Sequence, residues 1–130
     1  MLKPFLLGAV GYPVLELLTR GRTHPSMALA GGLSAAAFHR ISRLHASLAG
    51  KSLLGGAAVT LIEAICGFLW NRRHRIWDYR RMPLNWRGHV CLPYTLLWTG
   101  MAAAWMLIDR PAAAVPLRGP RSGRRPSRRV

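Results

Sequence analysis

Four stretches of this chain have the length of a helix and almost no charge: residues 4–19, 25–38, 52–70 and 90–108. A water-soluble bundle places mixed charges on every exposed helix face. These stretches have almost nothing charged to place there. The chain carries 19 Lys+Arg against 4 Asp+Glu in 130 residues, a formal net charge of +15. Such a balance suits a soluble nucleic-acid binder or a membrane protein with basic loops. Segregation favours the second, because the arginines crowd the connections and the apolar residues fill the stretches.

The third and fourth stretches approach the ~20 residues that cross a bilayer. The first holds Glu16 and is slightly short. Lys3 and the apolar run after it resemble a signal peptide, but no small-residue cleavage site follows. A retained helix is expected, kinked at Pro13. The second stretch draws its length from Ala and Gly. It is expected to run on through Ile41 and Leu44, with Arg40 and Arg43 reaching the interface. The fold expected is therefore all-α and polytopic, with four spans in residues 1–108. Residues 109–130 are Pro, Arg, Gly and Ser with little to bury, which predicts a disordered basic tail.

Glycines recur where backbones could touch: Gly8, Gly11, Gly31, Gly32, Gly55, Gly56, Gly67 and Gly100. Close helix packing in lipid uses such residues. A faint repeat runs beneath them. LLG at residues 6–8 precedes Glu16 by the same step as LLG at 53–55 precedes Glu63, and a basic loop follows each. A duplicated helix pair would produce this.

Four spans place both termini on one side. That side holds eleven Lys and Arg, seven of them in the tail, against eight Arg on the other. The positive-inside rule then puts both termini in the cytoplasm. Without the tail the balance reverses, four against eight. The tail arginines, Arg118 to Arg129, are expected to bind anionic lipid headgroups, with nucleic acid as their competitor.

The candidate site residues follow from the cost of charge in an apolar setting. Glu63 stands mid-helix with no cation on its own helix, so it needs a partner elsewhere or a proton. Glu16 can reach Arg20 one turn away. Asp78, Asn85 and His89 join them as substrate or proton candidates. Trp70, Trp77, Tyr79 and Trp86, with Arg80, Arg81 and Arg87, suit the headgroup layer as interfacial anchors. His24, His74, His89, Asp78 and Cys91 share one side but lack metal-ligand spacing, so no metal and no cofactor is expected. Cys66 and Cys91 are expected to be buried free thiols. No phosphate-cradling glycine loop and no nucleophile motif is present, and no enzymatic activity is expected.

The stretch WDYRRMPLNWRGHVCLPYTLLW, residues 77–98, resembles the signature of a family of small bacterial membrane proteins, Putative ABC-transporter type IV, also called CmpB-like. Trp77, Asp78, Tyr79, Pro83, Asn85, Gly88, Val90, Cys91, Leu92 and Pro93 fit its W-D-Y-S … P-x-N-x-x-G-Q-[IV]-C-L-P pattern. Residues 15–33 resemble its E-L-x-x-R-G-R-[ST]-H-x-S-M … G-G-L segment. Residues 63–79 resemble its E-x-x-x-G-x-x-x-N … W-D-Y segment. Arg80 replaces the usual Ser, and His89 the usual Gln. The resemblance covers roughly residues 10–108. It implies a permease-like membrane subunit in the bacterial cytoplasmic membrane, served by a separate ATPase chain and able to form homo- or hetero-oligomers. The alternatives are a non-transporting scaffold or regulatory protein, and a membrane-tethered binder of anionic lipid or nucleic acid.

Overall fold

The computed structural model describes residues 1–110. The expectations for the tail, its disorder and its lipid contacts, lie outside the described residues. Four helices carry the fold: α1 (Leu2–Arg20), α2 (Pro25–Ser42), α3 (Leu48–Trp70) and α4 (Leu92–Ile108). A two-stranded antiparallel ribbon, β1 (Asn85–Trp86) and β2 (Val90–Cys91), precedes α4, with Asn85 opposite Cys91 and Trp86 opposite Val90.

Local chemistry sets the boundaries. Gly21 ends α1 in the left-handed region (φ 69°) and returns its N–H to Leu17, a conformation that favours glycine. The ring of His24 caps α2 by accepting from Ser26 N at 3.2 Å, and Pro25 opens the helix. Ser47 caps α3 by accepting from Gly50 N at 3.1 Å. That cap starts α3 four residues earlier than the apolar run suggested. Lys51, which made the sequence look like a loop there, donates to the carbonyl of Ser42. At the other boundary Val90 and Cys91, expected in the fourth helix, are extended and pair with β1.

The helices pack as two antiparallel hairpins, α1 with α2 and α3 with α4, and α2 joins them by packing on α3 and α4. Glycine makes both hairpins tight. A Cβ at Gly31 would stand 2.5 Å from Tyr12 Cβ, and one at Gly8 would stand 2.6 Å from Ala35 Cβ. In the second hairpin a Cβ at Gly55 would stand 2.5 Å from Ala102 Cβ, and Gly56 lies against Thr99. One turn further, Thr60 and Thr95 hydroxyls bond at 2.8 Å. The repeated LLG thus places Gly8 and Gly55 at the close approach of each hairpin.

Around an apolar core that includes Phe38, Ile41, Val59, Trp98 and Met106, leucines that a water-soluble bundle would bury face outward. In α1 the one buried residue is Glu16, at 7% exposure, while Leu18 is 81% exposed and Leu2, Leu7 and Val10 are exposed with it. Leu53 and Leu61 on α3, and Leu96 and Leu97 on α4, also point outward. Glu63, Ser52, Asn71 and His89 are buried. Of the four helices, α1 and α3 are long and apolar enough to cross a membrane. α4 is apolar but has 17 residues, and α2 is diluted by Ala, Gly and its basic end.

Asp109, expected to open the tail, instead belongs to the helical unit. Its carboxylate accepts from Ser42 Oγ at 2.9 Å, Arg43 Nη2 at 3.2 Å and Trp105 Nε1 at 3.1 Å, and pairs with His39 Nδ1 at 2.8 Å. Burial opposes its ionisation, but these hydrogen bonds outweigh it and hold its pKa below the usual carboxylate value.

The packing distinguishes one glycine from another. Gly31→Ala should destabilise the bundle by about 1–3 kcal/mol, the usual cost of overpacking. Gly100→Ala, where a Cβ would meet nothing within 4 Å, should be neutral or slightly stabilising. Thermal unfolding in detergent, followed by circular dichroism, measures both.

Candidate functional site

Glu63, Gly67 and Asn71 fall at steps of four along α3 and its C-cap, so they share one face. The segment between α3 and α4, residues 71–91, folds back onto that face and meets each residue differently. Asn71, 1% exposed, is the brace. Its Nδ2 donates to the carbonyl of Trp77 at 2.6 Å, and its Oδ1 accepts from Ile76 N at 2.9 Å. Gly67 leaves room for the ring of His89, since a Cβ there would stand 2.6 Å from its Cγ. Glu63 Oε1 accepts from Tyr79 Oη at 3.4 Å.

The loop is stiffened from within. Trp77 Nε1 donates to the His89 carbonyl at 2.9 Å, and Tyr79 N to the Gly88 carbonyl at 2.9 Å. Asn85 Nδ2 donates to the carbonyls of Arg80 and Met82, and Asn85 Oδ1 accepts from Gly88 N. His74, Leu84 and Arg87 adopt positive φ near 50°. Such backbone is costly for residues other than glycine and persists where the surroundings over-determine it. Arg87 lies over the rings of Phe68 and Trp86, 5.8 and 5.6 Å from their centroids.

An aromatic cluster surrounds the Glu63 end of this face. Tyr79 stacks on Tyr94 at 4.5 Å between centroids, and Tyr94 and Tyr12 each tilt against Trp98 at 6.0 Å. The cluster draws on α1, α4 and the loop. The buried Trp98 Nε1 has no hydrogen-bond partner among the described residues. Burial first, and then the nearby Glu63, raise the Tyr79 hydroxyl pKa well above its ordinary value, so Tyr79 is a fixed donor.

The five substrate or proton candidates do not form one site. Glu63 is buried at 8% exposure and sealed by Tyr79. Glu16 sits at the α1–α2 loop, 3.7 Å from Arg20 Nη1, and accepts from Thr23 Oγ1 at 2.8 Å. Asp78 and Asn85 are spent inside the loop. Arg80 takes both oxygens of Asp78, at 2.7–3.0 Å. Its hydrogen bonds hold the Asp78 pKa far below the carboxylate range. His89 stacks on His74 at 4.8 Å and meets the edge of Phe68 at 5.2 Å, and its Nδ1 is buried without a partner among the described residues. Burial, then its neighbours His74 and Arg87, lower its pKa.

The anchor assignments need correction. Trp77 and Tyr79 are buried in the core and cannot present their rings to headgroups, whereas Trp70 and Trp86 are exposed, as are Arg80, Arg81 and Arg87. Trp77 and Tyr79 looked interfacial because they stand among arginines, but the backbone turns their rings inward. Cys66 and Cys91 are free, buried and in the same apolar cluster. Among the described residues no group of three or more His, Cys, Asp or Glu is placed to hold a metal.

Two cavities flank the bundle. One, of about 290 Å³, opens between the loop ends and is lined by Glu16, Arg20, Arg22, Thr23, His24, Trp70, Arg75 and Ile76. The other, of about 240 Å³, is an apolar crevice between α1, α2 and α4, lined in part by Leu7, Tyr12, Phe38 and Trp98. Glu63 lines neither.

The model of the family Putative ABC-transporter type IV matches residues 7–118. The chain belongs to this family. No curated protein and no solved structure matches it. The match runs past Ile108 to residue 118, so the family resemblance takes in the start of the tail, which the motifs alone had excluded. Arg80 and His89, which depart from the resembled pattern, both make contacts within the chain. Arg80 neutralises Asp78, and His89 fills the gap over Gly67.

Sequence reasoning missed Asn71, Tyr12, Tyr94 and Trp98. The step-of-four spacing of Glu63, Gly67 and Asn71 was the available signal for Asn71. The three aromatic residues carry none, since an inward ring and a lipid-facing ring read alike.

Asn71→Ala orphans a buried carbonyl and a buried N–H, each worth about 1–3 kcal/mol. Limited proteolysis should then cut within residues 72–90 at least ten times faster. His89 sets a pH dependence. A base whose folded pKa is depressed stabilises the fold above its ordinary value of 6.5, and that stability is lost as pH falls below it. The unfolding midpoint of the wild type should therefore fall relative to that of His89→Gln between pH 8 and pH 5.5.

Proposed function

We propose that the chain is a membrane-embedded, permease-like subunit of an ABC-type transport system, with ATP hydrolysis on a separate chain. The outward leucines, together with the burial of Glu16 and Glu63, are the observation that carries this reading. A bundle that buries Glu16 and Glu63 and turns leucines outward matches a hydrocarbon solvent, where polar groups must be satisfied internally. Family membership supplies the transport context. All four helices enter the membrane in this reading. Both termini face the cytoplasm by the positive-inside count.

A second reading has its own support. A substrate path predicts that Glu63 faces a polar cavity, and a scaffold or regulatory protein predicts a sealed contact. Glu63 is sealed by Tyr79 and lines neither cavity. In the transport reading, the loop carrying Tyr79 has to lift from Glu63 during the cycle. The strained residues His74, Leu84 and Arg87 are where that loop stores energy.

Affinity purification from native membranes separates the two. A permease-like subunit should co-purify with an ATPase in near-stoichiometric amount. Glu63→Gln should cut ATP-dependent uptake by that complex at least tenfold while leaving abundance within twofold. Recovery without any ATPase, and a Glu63→Gln protein with unaltered function, would favour the scaffold.

A further inference from the structure

Residues of the two basic loops line the half-open cavity of about 290 Å³ at one end of the bundle. We propose that this cavity is a binding site for a phosphate-bearing anion, either an anionic lipid headgroup or a free phosphate. Its walls come from the C-terminal turn of α1, the α1–α2 loop, the end of α3 and the loop after it. Arg20, Arg22 and Arg75 bring three guanidinium groups, and Glu16 is the one acid in the lining.

The polar groups are not all available. Arg20 and Thr23 engage Glu16, at 3.7 and 2.8 Å. Arg22 and Arg75 form no ion pair among the described residues, so the cavity keeps two uncompensated cations. His24 spends Nδ1 on Ser26 at 2.8 Å and leaves Nε2 unbonded among the described residues. An anion is the chemistry that such a lining accepts. Phosphate suits it better than carboxylate, because its oxygens can accept from two planar guanidinium forks at once. A volume of about 290 Å³ lies at the small end of ligand sites. That fits a phosphate with a short ester arm. Trp70 is exposed at the rim, where an indole ring suits the headgroup depth. The site does not depend on transport, and only its lipid source rests on the membrane reading.

The test uses the purified full-length chain in phosphatidylcholine nanodiscs. Inorganic phosphate is titrated by calorimetry, and phosphatidylglycerol doped into the discs is counted by native mass spectrometry. Saturable binding of inorganic phosphate identifies a free anion as ligand, and saturable phosphatidylglycerol alone identifies a headgroup. R22Q/R75Q should weaken the positive probe about tenfold more than R72Q/R73Q. The second pair removes the same charge from the loop after α3, beside Arg75 but outside the cavity lining. Equal losses would mean diffuse surface attraction and overturn the site, as would no saturable binding of either probe. If the glutamine pair fails to fold, R22K/R75K answers instead, because it keeps the charge and lacks the fork. A loss of about threefold or more upholds the site, and wild-type affinity overturns it. An ATPase missing from the pull-down would leave these results unchanged.

Discussion

Glu63, Gly67 and Asn71 present a hydrogen-bond acceptor, a gap and an amide at successive turns of α3, and the next twenty residues are shaped to fill them. Without Asn71 the loop has no fixed start, because the carbonyl of Trp77 and the N–H of Ile76 would lack their partners. Without Gly67 the ring of His89 could not lie against the helix. With both in place, Tyr79 is delivered to Glu63, and the aromatic cluster of Tyr12, Tyr94 and Trp98 closes around the carboxyl. A buried acid is costly unless something donates to it. Here a donor, Tyr79 Oη, arrives from the loop.

That arrangement makes sense only with an apolar exterior. Water-soluble bundles gain their stability by turning leucines inward. This one turns them outward along α1, α3 and α4 and keeps carboxylates, serines and an asparagine within. Its apolar core, with Phe38, Ile41, Val59, Trp98 and Met106, is drawn tight by close backbone approach at Gly8, Gly31, Gly55 and Gly56, and by threonine contacts between α3 and α4. Dispersion and interhelical hydrogen bonds are the forces that work without a hydrophobic drive between helices.

Much of the helical plan was legible in the sequence, because charge-free runs and LLG repeats are one-dimensional signals. Helix starts were less so. Ser47 begins α3 where Lys51 made the chain look polar, and Cys91 stays extended where the apolar run looked continuous. The candidate site was half legible. Glu16 with Arg20, and the buried Glu63, followed from spacing and cost. The partner of Glu63 did not, because Tyr79 is sixteen residues away across a folded loop. Trp77 and Tyr79 misled for the same reason. Their neighbours in sequence are arginines, but their neighbours in space are helices.

The environment of the outward leucines tests the central claim most directly. Single cysteines at Leu7, Leu61 and Leu96, in a background with Cys66 and Cys91 replaced by alanine, can carry spin labels in reconstituted vesicles. Their power saturation with oxygen and with a water-soluble nickel chelate measures what surrounds each one. In a bundle turned outward to lipid, all three labels are relaxed strongly by oxygen and weakly by the chelate. Strong relaxation by the chelate at these positions would place the leucines in water or in a soluble interface and contradict the claim.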